Sequence, residues 1–170
     1  LWRPSGEVAF WKVDSMRKRY FWSIFLVLYV GFVFGNSLTP AMESSAQSMS
    51  VLQLVTGAMK AVGLGNVGVT EHFIRKAAHF SEYTLLGILL AQCLAQYGLL
   101  AVTRWQLHGL AGFLIPFVDE TLQLFTEGRS GQISDVWLDC AGVLFGTVLF
   151  LAVGRWHRRR KGKKNVEKKL

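Results

Sequence analysis

Four stretches of this chain are each about twenty residues long and mostly apolar, and no other feature limits its possible folds as strongly. They cover residues 20–38, 77–97, 105–125 and 133–153. An α-helix rises about 1.5 Å per residue, so roughly 20 apolar residues cross the hydrocarbon core of a bilayer. A backbone in lipid must satisfy its own hydrogen bonds, which leaves only helices or closed barrels. The expected fold is all-α: a polytopic membrane protein built as a bundle of four transmembrane helices. Composition agrees, with 51% apolar and 18% charged residues in 170. Both figures fit if charge gathers in loops, tails and special places within the spans.

Orientation follows from lysine and arginine, which are enriched in cytoplasmic segments. Four spans put both termini on one side. The segment before the first span, the Arg104 loop and the tail after the fourth span hold fifteen of the nineteen basic residues. Both termini are therefore expected in the cytoplasm of a multi-pass plasma-membrane protein. Residues 1–19 read as a cytoplasmic N-terminal segment, with Met16 followed by Arg17, Lys18 and Arg19 resembling a natural start. Residues 20–153 read as the membrane domain and residues 154–170 as a basic cytoplasmic tail. The first apolar run is long for a signal peptide and lacks a small-x-small cleavage site, so it reads as a retained helix. The net charge of +8 sits beside apolar spans rather than across a folded face. That arrangement fits lipid headgroups and argues against nucleic acid. Cys93 and Cys140 form neither a disulfide framework nor a metal-binding spacing.

The loop between the first two spans covers residues 39–76 and is expected outside. Within it Val51, Leu52, Leu54, Val55, Ala58, Met59 and Val62 recur at helical spacing. A helix in the membrane interface is expected there, broken at residues 63–68. A helix packed on the bundle would produce the same pattern.

Eight of the eleven acids fall outside or in the outer halves of spans. Lys76, His79 and Glu82 occupy the outer turns of span two. Asp119, Glu120 and Gln123 lie in the outer half of span three, beyond Pro116, where a kink is expected. Asp135 and Asp139 open span four, Arg129 sits in the tight loop before it, and Asn36 closes span one. Residues three and four apart share a helix face. His79, Glu82 and Tyr83 form one such set, Asp119 and Gln123 another, and Asp135 and Asp139 a third. The third face continues through Gly142 and Gly146, whose spacing allows close helix approach. The acids are thus expected to point into an outward-opening pocket lined by spans two, three and four.

Ionisable groups in a bilayer are costly and need partners or a watery cavity. His79 beside Glu82, Asp119, Glu120 and Asp135 could act in acid–base catalysis. Lys76 and Arg129 could grip a phosphate or carboxylate, with Gln123, Asp139 and Asn36 completing a binding site. His79 with carboxylates could also hold a divalent metal, although no ligand spacing is diagnostic and no cofactor is identified. The purely structural alternative is that these acids pair with Arg75, Lys76, Arg129 and His79 to fix helix packing.

Three blocks of this sequence resemble the VanZ-like family. The first is Asn36-Ser37-Leu38-Thr39-Pro40. The second is Lys76-Ala-Ala-His79-Phe80-Ser-Glu82-Tyr83-x-x-Leu-Gly87. The third joins Asp119-Glu120-x-x-Gln123-x-x-x-x-Gly128-Arg129 to Asp135-x-x-x-Asp139-x-x-Gly142-x-x-x-Gly146. Asparagine is common in the family where Asp139 stands, so the resemblance does not itself require a charge there. The family takes its name from a protein that raises resistance to teicoplanin, a lipid-tailed glycopeptide acting on cell-wall precursors at the outer leaflet. The resemblance implies an envelope protein linked to such resistance and supplies no reaction. Its implied partners are the bilayer and a lipid-linked cell-wall precursor or the drug itself. The leading expectation is a non-enzymatic protein whose pocket binds one of these. The second is a membrane-embedded enzyme acting on an outer-leaflet lipid or precursor. A small proton-coupled transporter comes third, because the inner halves of the spans carry almost no acids.

Overall fold

The computed structural model describes the backbone of residues 5–61, 63 and 68–167, and the side chains of residues 15–61, 63 and 68–161. Among the described residues the regular elements are five helices: α1 Ser5–Ser37, α2 Ala41–Ala61, α3 Glu71–Ala95, α4 Ala101–Gln123 and α5 Ile133–Glu167. The all-helical expectation therefore holds. Two segments, Ser15–Ser37 and Ile133–Lys161, are long and apolar enough to cross a membrane. Helices α3 and α4 match the second and third expected spans in place but carry more polar residues.

α3 is the central element and packs against all four other helices. Its middle is buried on several sides at Tyr83, Leu86, Gly87, Leu89, Leu90, Ala91 and Cys93. Val33 of α1 and Val143 of α5 close on Tyr83, Leu86 and Leu90 to form the core, with Tyr29, Phe34, Ala111 and Ile115 around it. The outward faces are apolar as well: Val27 is 70% exposed, Phe117 51% and Leu144 65%. Such a surface suits lipid, where apolar exposure carries no hydration cost.

The expected close approach at Gly142 and Gly146 occurs within the chain, between α5 and α3. A Cβ at Gly146 would collide with the Thr84 carbonyl, and one at Gly142 would lie 2.8 Å from the Phe80 carbonyl oxygen. Gly87 completes the seam from the α3 side, where a Cβ would strike the Val143 carbonyl. Pro116 lies inside α4, which continues to Gln123. Proline leaves the carbonyl four residues earlier without its usual N–H donor. That carbonyl, on Gly112, is approached at 3.8 Å by the Cys140 thiol of α5.

Element ends differ from the expected spans in ways that matter to the site. Thr70 caps α3 by accepting the Phe73 N–H at 3.2 Å, so the helix starts six residues before the apolar run and includes Arg75 and Lys76. Ser, Thr and Asp at such caps satisfy N–H groups that have no partner in the first turn. α2 begins directly after Pro40, ten residues before the apolar pattern at Val51. Its Ala41 N–H donates to the Glu127 carbonyl at 3.1 Å, which ties the loop helix to the α4–α5 turn. Gly128 in that turn has φ +72° and faces Ala41. α2 buries no residue fully and lies along α3. Val62 and residues 64–67 lie outside the described residues.

Candidate functional site

Polar side chains from four helices meet at one end of the bundle, and most are already paired. Asn36 of α1 donates to Glu82 Oε1 of α3 at 2.7 Å. Ser37 donates to Asp119 Oδ2 of α4 at 2.7 Å, in the buried interior. Lys76 Nζ bonds Asp135 Oδ1 of α5 at 2.9 Å. Glu120 accepts the Gln132 N–H at 2.9 Å through Oε2 and the Gln123 amide at 3.2 Å through Oε1. Every residue singled out from the sequence thus lies in this region, but they divide into three environments with different chemistry.

Glu120, Gln123 and the Gln132 backbone form a closed set that shapes the α4–α5 turn. Each oxygen of that carboxylate accepts a bond within the turn, which anchors it there. Lys76–Asp135 is a partly exposed ion pair across α3 and α5, with side chains 35% and 28% exposed. Pairs of that exposure contribute little, about 0–1 kcal/mol. All four side chains, candidates from the sequence, have protein partners in this structure.

The second environment is an open cleft of about 370 Å³. Its walls are α2, the start of α3, the end of α1 and Arg129, so the expectation of a pocket lined by spans two, three and four is corrected. The acids of α4 and α5 do not line it; packing buries Asp119 and Asp139, and Asp135 stays partly exposed at a separate cavity of about 20 Å³ between α3 and α5. The cleft is lined by Asn36 of α1 and Thr39 just after it, by Ser44, Gln47, Ser48 and Val51 of α2, and by Arg75, His79 and Glu82 of α3. The α2 residues were not singled out from the sequence, although their spacing of three, one and three residues puts them on one helix face. The same spacing links Arg75, Ala78, His79 and Glu82. Arg129 donates to the Asn36 carbonyl at 3.1 Å, at the negative end of the α1 dipole. Burial, and next the nearby Arg75, bring the Arg129 pKa down from its ordinary value, while Asp119, Glu120 and Glu82 oppose this. Arg75 and Arg129 both line the cleft together with Glu82, and Arg75 also lies 3.9 Å from Glu71; guanidinium groups in such a place can bind an anion.

The third environment is buried between α3, α4 and α5. Asp119 and Asp139 are fully buried, as is Tyr83. His79 Nδ1 is 4.0 Å from Asp139 Oδ1, and His79 also faces the cleft. Asp119 keeps one bonded oxygen, through Ser37, a partner not singled out from the sequence. A serine at the end of an apolar run carries no signal for such a long-range contact.

No curated protein and no solved structure matches the chain. The VanZ/LLP1 family model matches residues 21–154, a segment holding all the residues just described. This match and the two apolar helices point to a membrane protein. With most of its length covered by that model, the chain belongs to the VanZ/LLP1 family.

Proposed function

We propose that this chain is a multi-pass envelope protein whose cleft binds the anionic headgroup of an outer-leaflet lipid or lipid-linked cell-wall precursor, and so lowers sensitivity to teicoplanin-type glycopeptides. In this reading α1, α3, α4 and α5 span the plasma membrane, both termini are cytoplasmic, and α2 lies at the outer interface. The observation that carries it is the cleft between α2 and α3, with Arg75, Arg129 and His79 among hydroxyl and amide side chains. Guanidinium groups bind phosphate and carboxylate bidentately. The apolar flank at Val51 and Ile74 suits the chain of a lipid-linked ligand. Pockets of roughly 300–1,000 Å³ accommodate ligands of this size.

A second reading, a membrane-embedded enzyme, is favoured by the buried Asp119 and Asp139 beside His79. There His79 would transfer the proton and Asp119 would orient it. A proton-coupled transporter fits less well. Beyond the acids the core is built from Leu86, Leu90 and Val143, and the buried His108 farther along bonds Thr147 rather than an acid.

One experiment addresses the lead reading and its rival together. The Arg75→Gln, Arg129→Gln double variant is compared with wild type in nanodiscs for binding of a lipid-linked precursor. In cells the two are compared for teicoplanin resistance and lipid profile. Binding is expected to fall at least about tenfold, or ~1.4 kcal/mol, with resistance reduced and lipids unchanged. Unaltered binding removes the headgroup reading; an accumulating lipid favours the enzyme.

A further inference from the structure

The interface of α3, α4 and α5 buries more hydrogen-bonding capacity than it uses. Tyr83, Asp119 and Asp139 are each 0% exposed. Among the described residues, no well-formed hydrogen bond reaches the Tyr83 hydroxyl, Asp119 Oδ1 or either oxygen of Asp139; Tyr83 and Gln123 approach Asp119, whereas Asp139 has no such neighbour. Buried polar atoms are nearly always paired, so four atoms without a well-formed bond, from three neighbouring side chains, need an explanation. Tyr83 faces Asp119 and Asp139, so all four belong to one cluster. Two buried carboxylates without a directly bonded cation are costlier still.

The geometry supplies the explanation. One donor atom each from His79, Asp119 and Asp139 lies within 4.8 Å of the other two. The His79–Asp139 approach, at 4.0 Å, is too wide for a direct hydrogen bond and close to what an interposed cation requires. Ligand atoms about 2.0–2.2 Å from one ion lie at most about 4.4 Å apart. A contraction of roughly half an ångström, within reach of side-chain rotation, closes the set. The three donors come from three different helices, so each backbone is already positioned by packing.

We propose that His79, Asp119 and Asp139 form a binding site for one divalent transition-metal ion, Zn²⁺ or Mn²⁺, held between α3, α4 and α5. One imidazole and two carboxylates suit first-row divalent ions, whereas Ca²⁺ takes six to eight oxygens. Ser37, bonded to the second oxygen of Asp119, holds that ligand in orientation, as outer-shell partners of metal ligands do. Three protein ligands leave a coordination position open. His79 is shared with the cleft, so the ion lies next to the space where a ligand would bind. The site rests on the buried cluster alone and stands whether or not the cleft binds a lipid.

The test uses the full chain, purified in detergent, stripped with EDTA and titrated with Co²⁺ as an optical probe, then with Zn²⁺. One equivalent of Co²⁺ is expected to bind with visible absorption and to be displaced by Zn²⁺, and the ion should raise the melting temperature by pinning three helices. His79→Ala and Asp139→Ala should each weaken binding at least about tenfold, whereas His157→Ala, at an exposed imidazole far along α5, should bind like wild type. Absence of saturable one-equivalent binding by wild type overturns the proposal, as does unchanged affinity in both ligand variants. Should those variants fail to fold, X-ray absorption of the Zn²⁺-loaded wild type decides. A nitrogen–oxygen shell with one imidazole supports the site; sulfur or several imidazoles overturns it. The readout is metal alone, so failure here leaves the headgroup reading intact, and loss of lipid binding leaves this site intact.

Discussion

At the scale of single residues, the site shows how similar side chains acquire different tasks from their partners. Glu120 and Asp119 are adjacent in sequence, yet Glu120 is satisfied by Gln123 and the Gln132 backbone. Asp119 is held through one oxygen only, by Ser37. That single bond predicts a large effect from a small change. Ser37→Ala removes the donor 2.7 Å from a fully buried carboxylate, and hydrogen bonds to charged groups contribute about 1.5–3 kcal/mol. Stability in detergent, measured by thermal unfolding, should fall by that order, whereas Ser48→Ala on exposed α2 should change it by less than about 0.5 kcal/mol. Equal, small losses would mean that Asp119 does not depend on Ser37.

At the scale of elements, the α3–α5 seam governs where the acids sit. Gly87, Gly142 and Gly146 bring the two backbones together, and this contact places His79 beside Asp139. Gly146→Ala would force a methyl group against the Thr84 carbonyl. Overpacking of this kind typically costs about 1–3 kcal/mol, and here the obstacle is backbone rather than a flexible side-chain end. The expected result is a lower melting temperature and weakened metal binding, with no ligand residue altered. Gly109→Ala, on a face with open space around it, serves as the control and should behave as wild type. The sequence signalled this seam, since the four-residue spacing of Gly142 and Gly146 is visible directly. It did not reveal Gly87 as the matching position, because a lone glycine in an apolar run has no spacing to read.

At the scale of the whole molecule, the prediction concerns sidedness. In the orientation proposed above, with basic termini in the cytoplasm, the Gly128 turn and α2 would face outward. In a background lacking Cys93 and Cys140, Gln47→Cys should react in intact cells with a membrane-impermeant maleimide, and a cysteine at Ser134 should react likewise. A cysteine at Arg158 should react only after permeabilisation. The reverse pattern would overturn the orientation and with it the outer-leaflet ligand.

Helix type and approximate place were legible in the sequence because each apolar run carries its own period and length, properties a local window contains. So was the gathering of acids at one end, since depth along a helix is counted from its ends. Which acid meets which partner was not legible. Ser37 bonds Asp119 across 82 positions and Asn36 bonds Glu82 across 46, and nothing local encodes such a pairing. The pocket moved for the same reason. Polar spans predicted a cavity among α3, α4 and α5, but glycine-mediated contact leaves only about 20 Å³ beside Asp135 and Asp139. The open volume lies under α2 instead. By itself the sequence determined an all-helical chain with a polar end and a basic end. Only tertiary packing decided that this polar end divides into an anchor at Glu120, an open cleft holding Arg75 and Arg129, and a buried carboxylate pair that meets the cleft at His79. The physical reason is that burial and unmet hydrogen bonds are properties of three helices together, and a single stretch of chain possesses neither.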